Sequence, residues 1–385
     1  MPCRAEPGVR YYFRPLFAEG RAHFAGARTI SMEATYSLRN DSLQILRFVA
    51  AAIVLLTHLT FYIHERVDPG VAVWHGGEYG VQIFFVISGF VMYLSGAKLS
   101  WNTQGAKLFL FRRVTRIFPL YWLVTTVKVA VALSVPAVVL HNAPEPMRIL
   151  ASYVLFPMFN PEGEIRPMHG VGWTLLHEMM FYYIFTIGMM LRVSPFIFST
   201  VVIVSMYALG FVWPPQAAWA FVCTSELNLL FVAGMVLSAL YQAHRAPPLA
   251  VGVPLLLIGG AGLLGWEPFG IPFTLVREHN VGAVMVAAGA LSWQMTAWPG
   301  LRRRLVALGD SSYSLYLLHP ILAPGICLVL AKLHASSPPL ILIIGFTACV
   351  IAAKLLYRLI ENPLNNWVKG QLEKVFFRSK SALIA

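Results

Sequence analysis

Charge is what this sequence has least of. Only 12% of its 385 residues are Asp, Glu, Lys or Arg, while 58% are hydrophobic; an ordinary soluble domain carries roughly 25% charged residues. At a mean hydropathy of +0.67 there is too little polar surface for a water-soluble fold or a disordered chain, and both are excluded. Cysteine is scarce as well. Cys3, Cys223, Cys327 and Cys349 show no short spacing, and three lie in or beside apolar stretches, so neither a disulfide framework nor a metal site is indicated. No Gly-rich phosphate loop follows a strand and no repeat of fixed period runs through the chain. Acidic residues are outnumbered 17 to 29 by Lys and Arg, a formal +12. In a soluble protein that balance would point to nucleic acid; in an apolar chain it marks loops that face anionic lipid.

What the chain has in quantity is long apolar runs. Ten stretches of near-spanning length occur at about 43–63, 79–97, 117–140, 172–191, 195–213, 221–241, 248–266, 280–298, 308–333 and 338–357. Barrel strands would be about half as long and alternating, so an all-α polytopic membrane protein is expected. With the N-terminus inside, only Arg66, Arg148, Arg166, Arg277 and Lys332 fall in external loops. Arg47, Lys128 and Lys354 lie within spans, and the rest of the 29 basic residues are cytoplasmic. This asymmetry favours ten transmembrane helices with both termini cytoplasmic. The short apolar stretch 149–159, punctuated by Pro157 and Pro161, reads as external and interfacial, or re-entrant. Flanking the membrane domain of 42–365 are a polar, Arg-rich tail, 1–41, with no signal-peptide core, and a basic cytoplasmic tail, 366–385. The change in composition near Met32 marks it as a second candidate start.

Ionisable groups inside a span cost roughly 2.5 to 3.5 kcal/mol each on insertion scales, so each is a candidate functional residue. Arg47 and His58 share the first helix, and their spacing of 11 residues is about three turns, or about 16 Å along one face. Arg47 sits near the inner surface, where snorkelling to headgroups would also explain it; His58 lies past the midplane. The fourth helix places Trp173, His177 and Glu178 in GWTLLHEMMFYY, with Glu178 at a depth close to that of His58. The two form either an acid/base pair or a structural polar contact between helices. Just before the third helix, FLFRRVTRIFPLYW presents Arg112, Arg113 and Arg116. Arg113 and Arg116, one turn apart, either grip a phosphate or serve as a topology signal. The ninth helix opens with LGDSSYSLYLLHP, whose Asp310, Tyr313, Ser314 and His319 require a chamber, since lipid satisfies no polar group. His319, ahead of Pro320, has the alternative of serving backbone groups that the proline frees.

These segments together resemble the acyltransferase 3 family of integral-membrane acyltransferases, over roughly residues 42–365. The resemblance rests on six motifs in order: SLQILRFVAAAIVLLTH with its R-x10-H spacing, GVQIFFVISGF, the R-x-x-R of RRVTR, W-x4-E in WTLLHE, LGDSSYSLYLLHP, and Y-x3-E-N-P from Tyr357 to Pro363. It implies that His58 is the catalytic histidine, with Arg47 its paired basic residue and Arg113 and Arg116 handling the acyl donor. Gln82 departs from the family pattern, which more often has an acidic residue there. By resemblance the donor is acyl-coenzyme A, acetyl-CoA first. The acceptor is a glycan or lipid-linked saccharide, as in bacterial exopolysaccharide acetyltransferases, and the place is the bacterial inner membrane, alongside polysaccharide-assembly proteins.

In the mechanism this suggests, neutral His58 is the general base on an acceptor hydroxyl or is itself acylated, and Glu178 orients the imidazole or moves a proton. Ser88, Tyr313 and Ser314 are available as oxyanion donors or chamber lining. Trp74, Tyr79 and Trp173 stack on a sugar or belong to an interfacial aromatic belt. The rival is a secondary transporter with a His/Glu proton relay, although no pair of matching broken segments is evident.

Overall fold

The computed structural model describes residues 40–134, 145–263, 280–293, 298–334 and 337–381. The expected basic tail of 1–41 and the start at Met32 lie almost wholly outside them. Helix α1, Asp41–Arg66, is 26 residues long, about 39 Å at 1.5 Å per residue and enough for a hydrocarbon core of about 30 Å. Its start is fixed by Asn40, whose side chain accepts from the Leu43 N–H at 3.1 Å, the usual remedy for an orphaned first-turn donor. A 3-10 turn at Gly76–Glu78 leads into α2, Tyr79–Gly96. Helix α3, Thr103–Ser134, follows; α4, Pro146–Val154, is short. Then come α5, Trp173–Met190; α6, Pro195–Val212; α7, Ala218–Thr224; and α8, Asn228–Gln242. Helices α9, Leu249–Leu263, and α10, Val281–Ser292, are shorter. The last group is α11, Pro299–Asp310; α12, Ser312–Lys332; α13, Pro338–Leu356; and α14, Asn362–Ser381. Among the described residues the only β pairing is an isolated bridge between Phe159 and Ile165.

Seven helical stretches among the described residues are long and apolar enough to cross a membrane: Asp41–Arg66, Gly76–Gly96, Thr103–Ser134, Pro195–Val212, Ala218–Gln242, Ser312–Lys332 and Pro338–Gln371. The expected stretches at 172–191, 248–266 and 280–298 are helical over Trp173–Met190, Leu249–Leu263 and Val281–Ser292 without joining that set. In α5 the polar His177 and Glu178 dilute the apolar run. Three boundaries are corrected. The third helix starts at Thr103, well before 117, so the arginine motif lies inside it. The expected ninth span is broken at Ser311 into α11 and α12. The basic tail is helical through Ser381, reached from α13 through a π turn at Tyr357–Glu361.

The outside of the bundle carries many large apolar side chains. Phe211, Trp213, Leu257 and Leu359 are 73%, 81%, 68% and 72% exposed, a surface that suits lipid and not water. Helix α1 runs through the middle, packed against α2, α10, α11, α12 and α13. Helices α2 and α8 meet backbone to backbone. A Cβ on Gly89 would stand 2.1 Å from the Phe231 carbonyl oxygen, and one on Gly234 would stand 2.0 Å from that of Val86. With no hydrophobic drive between helices in lipid, such small-residue contacts set the packing.

Candidate active site

Helices α1, α2, α3, α5 and α12 line a cavity of about 90 Å³ that opens to the surface, walled by Arg47, Ser88, Arg113, Arg116, Glu178, Tyr182, Tyr313 and Tyr316 among apolar side chains. Because residues three apart share a helix face, Arg113 and Arg116 both turn inward while Arg112, on a different face, is exposed. Arg113 is no surface residue: it is 9% exposed, donates to the Ser95 hydroxyl, and its guanidinium lies 5.5 Å from the centre of the Phe109 ring. Arg47 donates to Gln44 at 3.1 Å, and Gln44 donates to Asp310 at 2.8 Å, which ties α1 to the end of α11.

One carboxylate answers the three arginines in this cavity. Glu178 accepts from the Ser88 hydroxyl at 3.1 Å and from the Tyr182 phenol one turn along its own helix. Tyr313 donates to the Ile117 carbonyl at 2.8 Å. Ser314 does not line the cavity, contrary to expectation: it is buried and donates to Glu361 at 2.5 Å. Glu361, from the E-N-P motif, is 6% exposed and acts electrostatically with Arg116 and Arg47, a role that sequence reasoning did not assign. The buried Gln82 Oε1 has no hydrogen-bond partner.

His58 is not on this cavity wall. Phe84 and Tyr316, with ring centres 5.8 Å apart and edge-on, stand among its lining residues. Tyr316 is held by its hydroxyl, 3.1 Å from that of Thr174 and 3.2 Å from the Val171 carbonyl. Behind it, 5.9 Å away, is the ring of His319, and 4.7 Å beyond that is the ring of His58. Tyr316 thus stands between the arginine cavity that it lines and the two imidazoles. Glu178 does not meet His58. The imidazole instead touches His319 and Tyr62, because α12 packs along α1 and brings the two histidines to one level. The Nδ1 of His58 lies 2.9 Å from the Val54 carbonyl, and that of His319 lies 3.1 Å from the Leu315 carbonyl. As carbonyls only accept, both Nδ1 atoms carry the proton and both Nε2 atoms are left as bases.

His177 and Glu178 part company. His177 faces a second cavity with Trp173, Phe159 and Phe221, so Trp173 lines that one and not the arginine cavity. The His177 Nδ1 donates to Asn228 at 2.9 Å. His169, in the loop before α5, is completely buried; burial, then Lys128, push its imidazole down to about 3 against the opposing pull of the Leu317 backbone, so it is neutral at physiological pH. Among the described residues no group of three His, Cys, Asp or Glu side chains could hold a metal ion, and Cys223, Cys327 and Cys349 are free.

A multi-pass helical bundle with a basic internal cavity and paired intramembrane imidazoles fits a membrane acyltransferase, and residues 40–358 match the family model described as an acyltransferase domain; the chain belongs to the acyltransferase 3 family. It is similar to the exopolysaccharide production protein ExoZ of Rhizobium meliloti (strain 1021), with 34% identity over 307 residues, 75% of this chain and 89% of that protein. No solved structure matches the chain.

Proposed function

We propose that this enzyme moves an acyl group, acetyl in the first place, from cytoplasmic acyl-coenzyme A to a sugar hydroxyl of an extracytoplasmic or lipid-linked glycan destined for exopolysaccharide. In this reading ten helices cross the bacterial inner membrane with both termini in the cytoplasm. The observation that carries it is the cavity with three arginines and one carboxylate, whose lining residue Tyr316 stands beside a pair of imidazoles. Coenzyme A is strongly anionic at its nucleotide end. Arg116, Arg113 and Arg47 supply the charge-assisted donors its phosphates need, and guanidinium forks suit them better than ammonium groups.

The acyl arm then reaches the Phe84–Tyr316 layer, which has to swing aside for the thioester to meet His58. With its Nδ1 proton committed to Val54, the His58 Nε2 is available as base or nucleophile. Glu178, with its Ser88 and Tyr182 donors, belongs to the donor side and holds the cavity's charge and shape. The glycan relationship of ExoZ supports a saccharide acceptor. The reading is tested with His58→Ala in a strain lacking the gene. Acyl content of the exopolysaccharide should fall to background while the protein inserts normally. Acylation at the wild-type level in that variant would remove His58 from the mechanism.

A further inference from the structure

The His58–His319 pair contains one imidazole more than a single base needs. His319 is 1% exposed, its Nδ1 is committed to the Leu315 carbonyl, and its Nε2 is buried with no hydrogen-bond partner. A buried acceptor without a donor is destabilising, and such groups in folded proteins call for an explanation. The Nδ1 bond to the Leu315 carbonyl leaves Nε2 unexplained. His58, by contrast, is partly accessible. The ring centres stand 4.7 Å apart at 69°, so the two imidazoles are neighbours in one site.

Resting on the functional reading above, we propose that the two imidazoles divide the reaction, His58 taking the acyl group and His319 taking the proton of the acceptor hydroxyl. In the first step the His58 Nε2 lone pair adds to the thioester carbonyl, the C–S bond breaks, and coenzyme A leaves as its thiolate. His58 becomes an acyl-imidazolium that keeps its Nδ1 proton against Val54. In the second step the acceptor O–H gives its proton to the His319 Nε2. The oxygen forms the ester bond as the N–acyl bond breaks, and His58 returns neutral. His319 then releases the proton to solvent, from which the thiolate is protonated. One thioester and one alcohol thus become one ester and one thiol, with no other reactant. The acceptor is an alcohol, and a hydroxyl of a saccharide fits the role.

The test is a rapid-mix measurement on the full-length enzyme in proteoliposomes, with acetyl-coenzyme A as donor. Wild-type enzyme without acceptor should release a burst of about one thiol per active site. His319→Gln, which puts a non-basic amide where the Nε2 stood, should give the same burst while transfer to the glycan falls about 10²–10⁴-fold, the usual worth of a general base. In His319→Ala, added imidazole should restore part of the transfer, which a packing role would not allow. Wild-type enzyme that gives no burst overturns the division of labour. So does a His319→Gln enzyme that transfers at the wild-type rate or loses burst and transfer together. His58→Ala should lose both; transfer surviving there brings down the functional reading itself.

Discussion

Replacing Arg116 by alanine removes the partly exposed member of the arginine pair while leaving the buried one in place. Arg113 is already engaged with Ser95 and the Phe109 ring, so Arg116 is the arm with more freedom to close on a phosphate. A hydrogen bond to a charged group is worth about 1.5–3 kcal/mol, which at about 1.4 kcal/mol per decade gives a donor KM raised about 10- to 150-fold. Because phosphate lies far from the reacting carbonyl, its binding is the same in ground and transition states, and kcat at saturating donor should hold. The fold should hold too. Arg113→Ala differs: it removes one of the two bonds of Ser95, leaving that to the Met92 carbonyl, and leaves a hole beside Phe109, so KM should rise together with a stability loss of about 1–3 kcal/mol. The two changes should not add, since the groups serve one ligand. The assay is initial-rate transfer in proteoliposomes across a range of acetyl-coenzyme A, with a melting midpoint for each variant. A kcat that falls in Arg116→Ala while KM stays put would refute the phosphate assignment.

Phe84→Ala should breach the layer between the arginine cavity and the imidazoles and raise acyl-coenzyme A hydrolysis in the absence of acceptor. Unchanged hydrolysis, measured as thiol release, would mean that the layer is no barrier. Gly89→Leu should break the α2–α8 contact, because its Cβ would sit 2.1 Å from the Phe231 carbonyl oxygen. Forcing backbone apart in a packed bundle goes beyond the usual 1–3 kcal/mol of overpacking, so little folded protein should survive detergent extraction. A wild-type melting midpoint would contradict the packing.

The helical class was legible because hydropathy over a spanning window reports the solvent, and the solvent here is lipid. The arginine motif was legible as a pair on one face, since three-residue spacing fixes that, but its burial was not. An apolar window draws a helix where the lipid-facing residues begin, and α3 starts about four turns earlier than that, on residues that pack against protein. The His58–Glu178 pairing failed for a related reason. Depth along a helix follows from residue counts, whereas the direction in which a side chain leaves it depends on neighbours. Helix α12, not α5, is what packs against the His58 face of α1. His319 was visible as a polar residue in an apolar run, and Glu361 as part of a motif; that Glu361 takes up Ser314 depends on the π turn, which no local pattern announces.

Two cavities placed on consecutive residues explain why α5 tolerates His177 next to Glu178. Successive side chains on a helix diverge by about 100°, so Glu178 points into the arginine cavity while His177 points into the second one, beside Trp173. Phe85 stands between them, 5.7 Å from the His177 ring and on the wall of the arginine cavity. An enzyme that handles a thioester within reach of water gains from such partitions, since each keeps water from the donor. The same logic assigns Phe84 and Tyr316 their place. A permanently open channel would lose acyl groups to water, and a permanently closed one would never reach His58. An edge-on pair held on one side by the Tyr316 hydroxyl lies between these limits, with Phe84 the member that no hydrogen bond can hold.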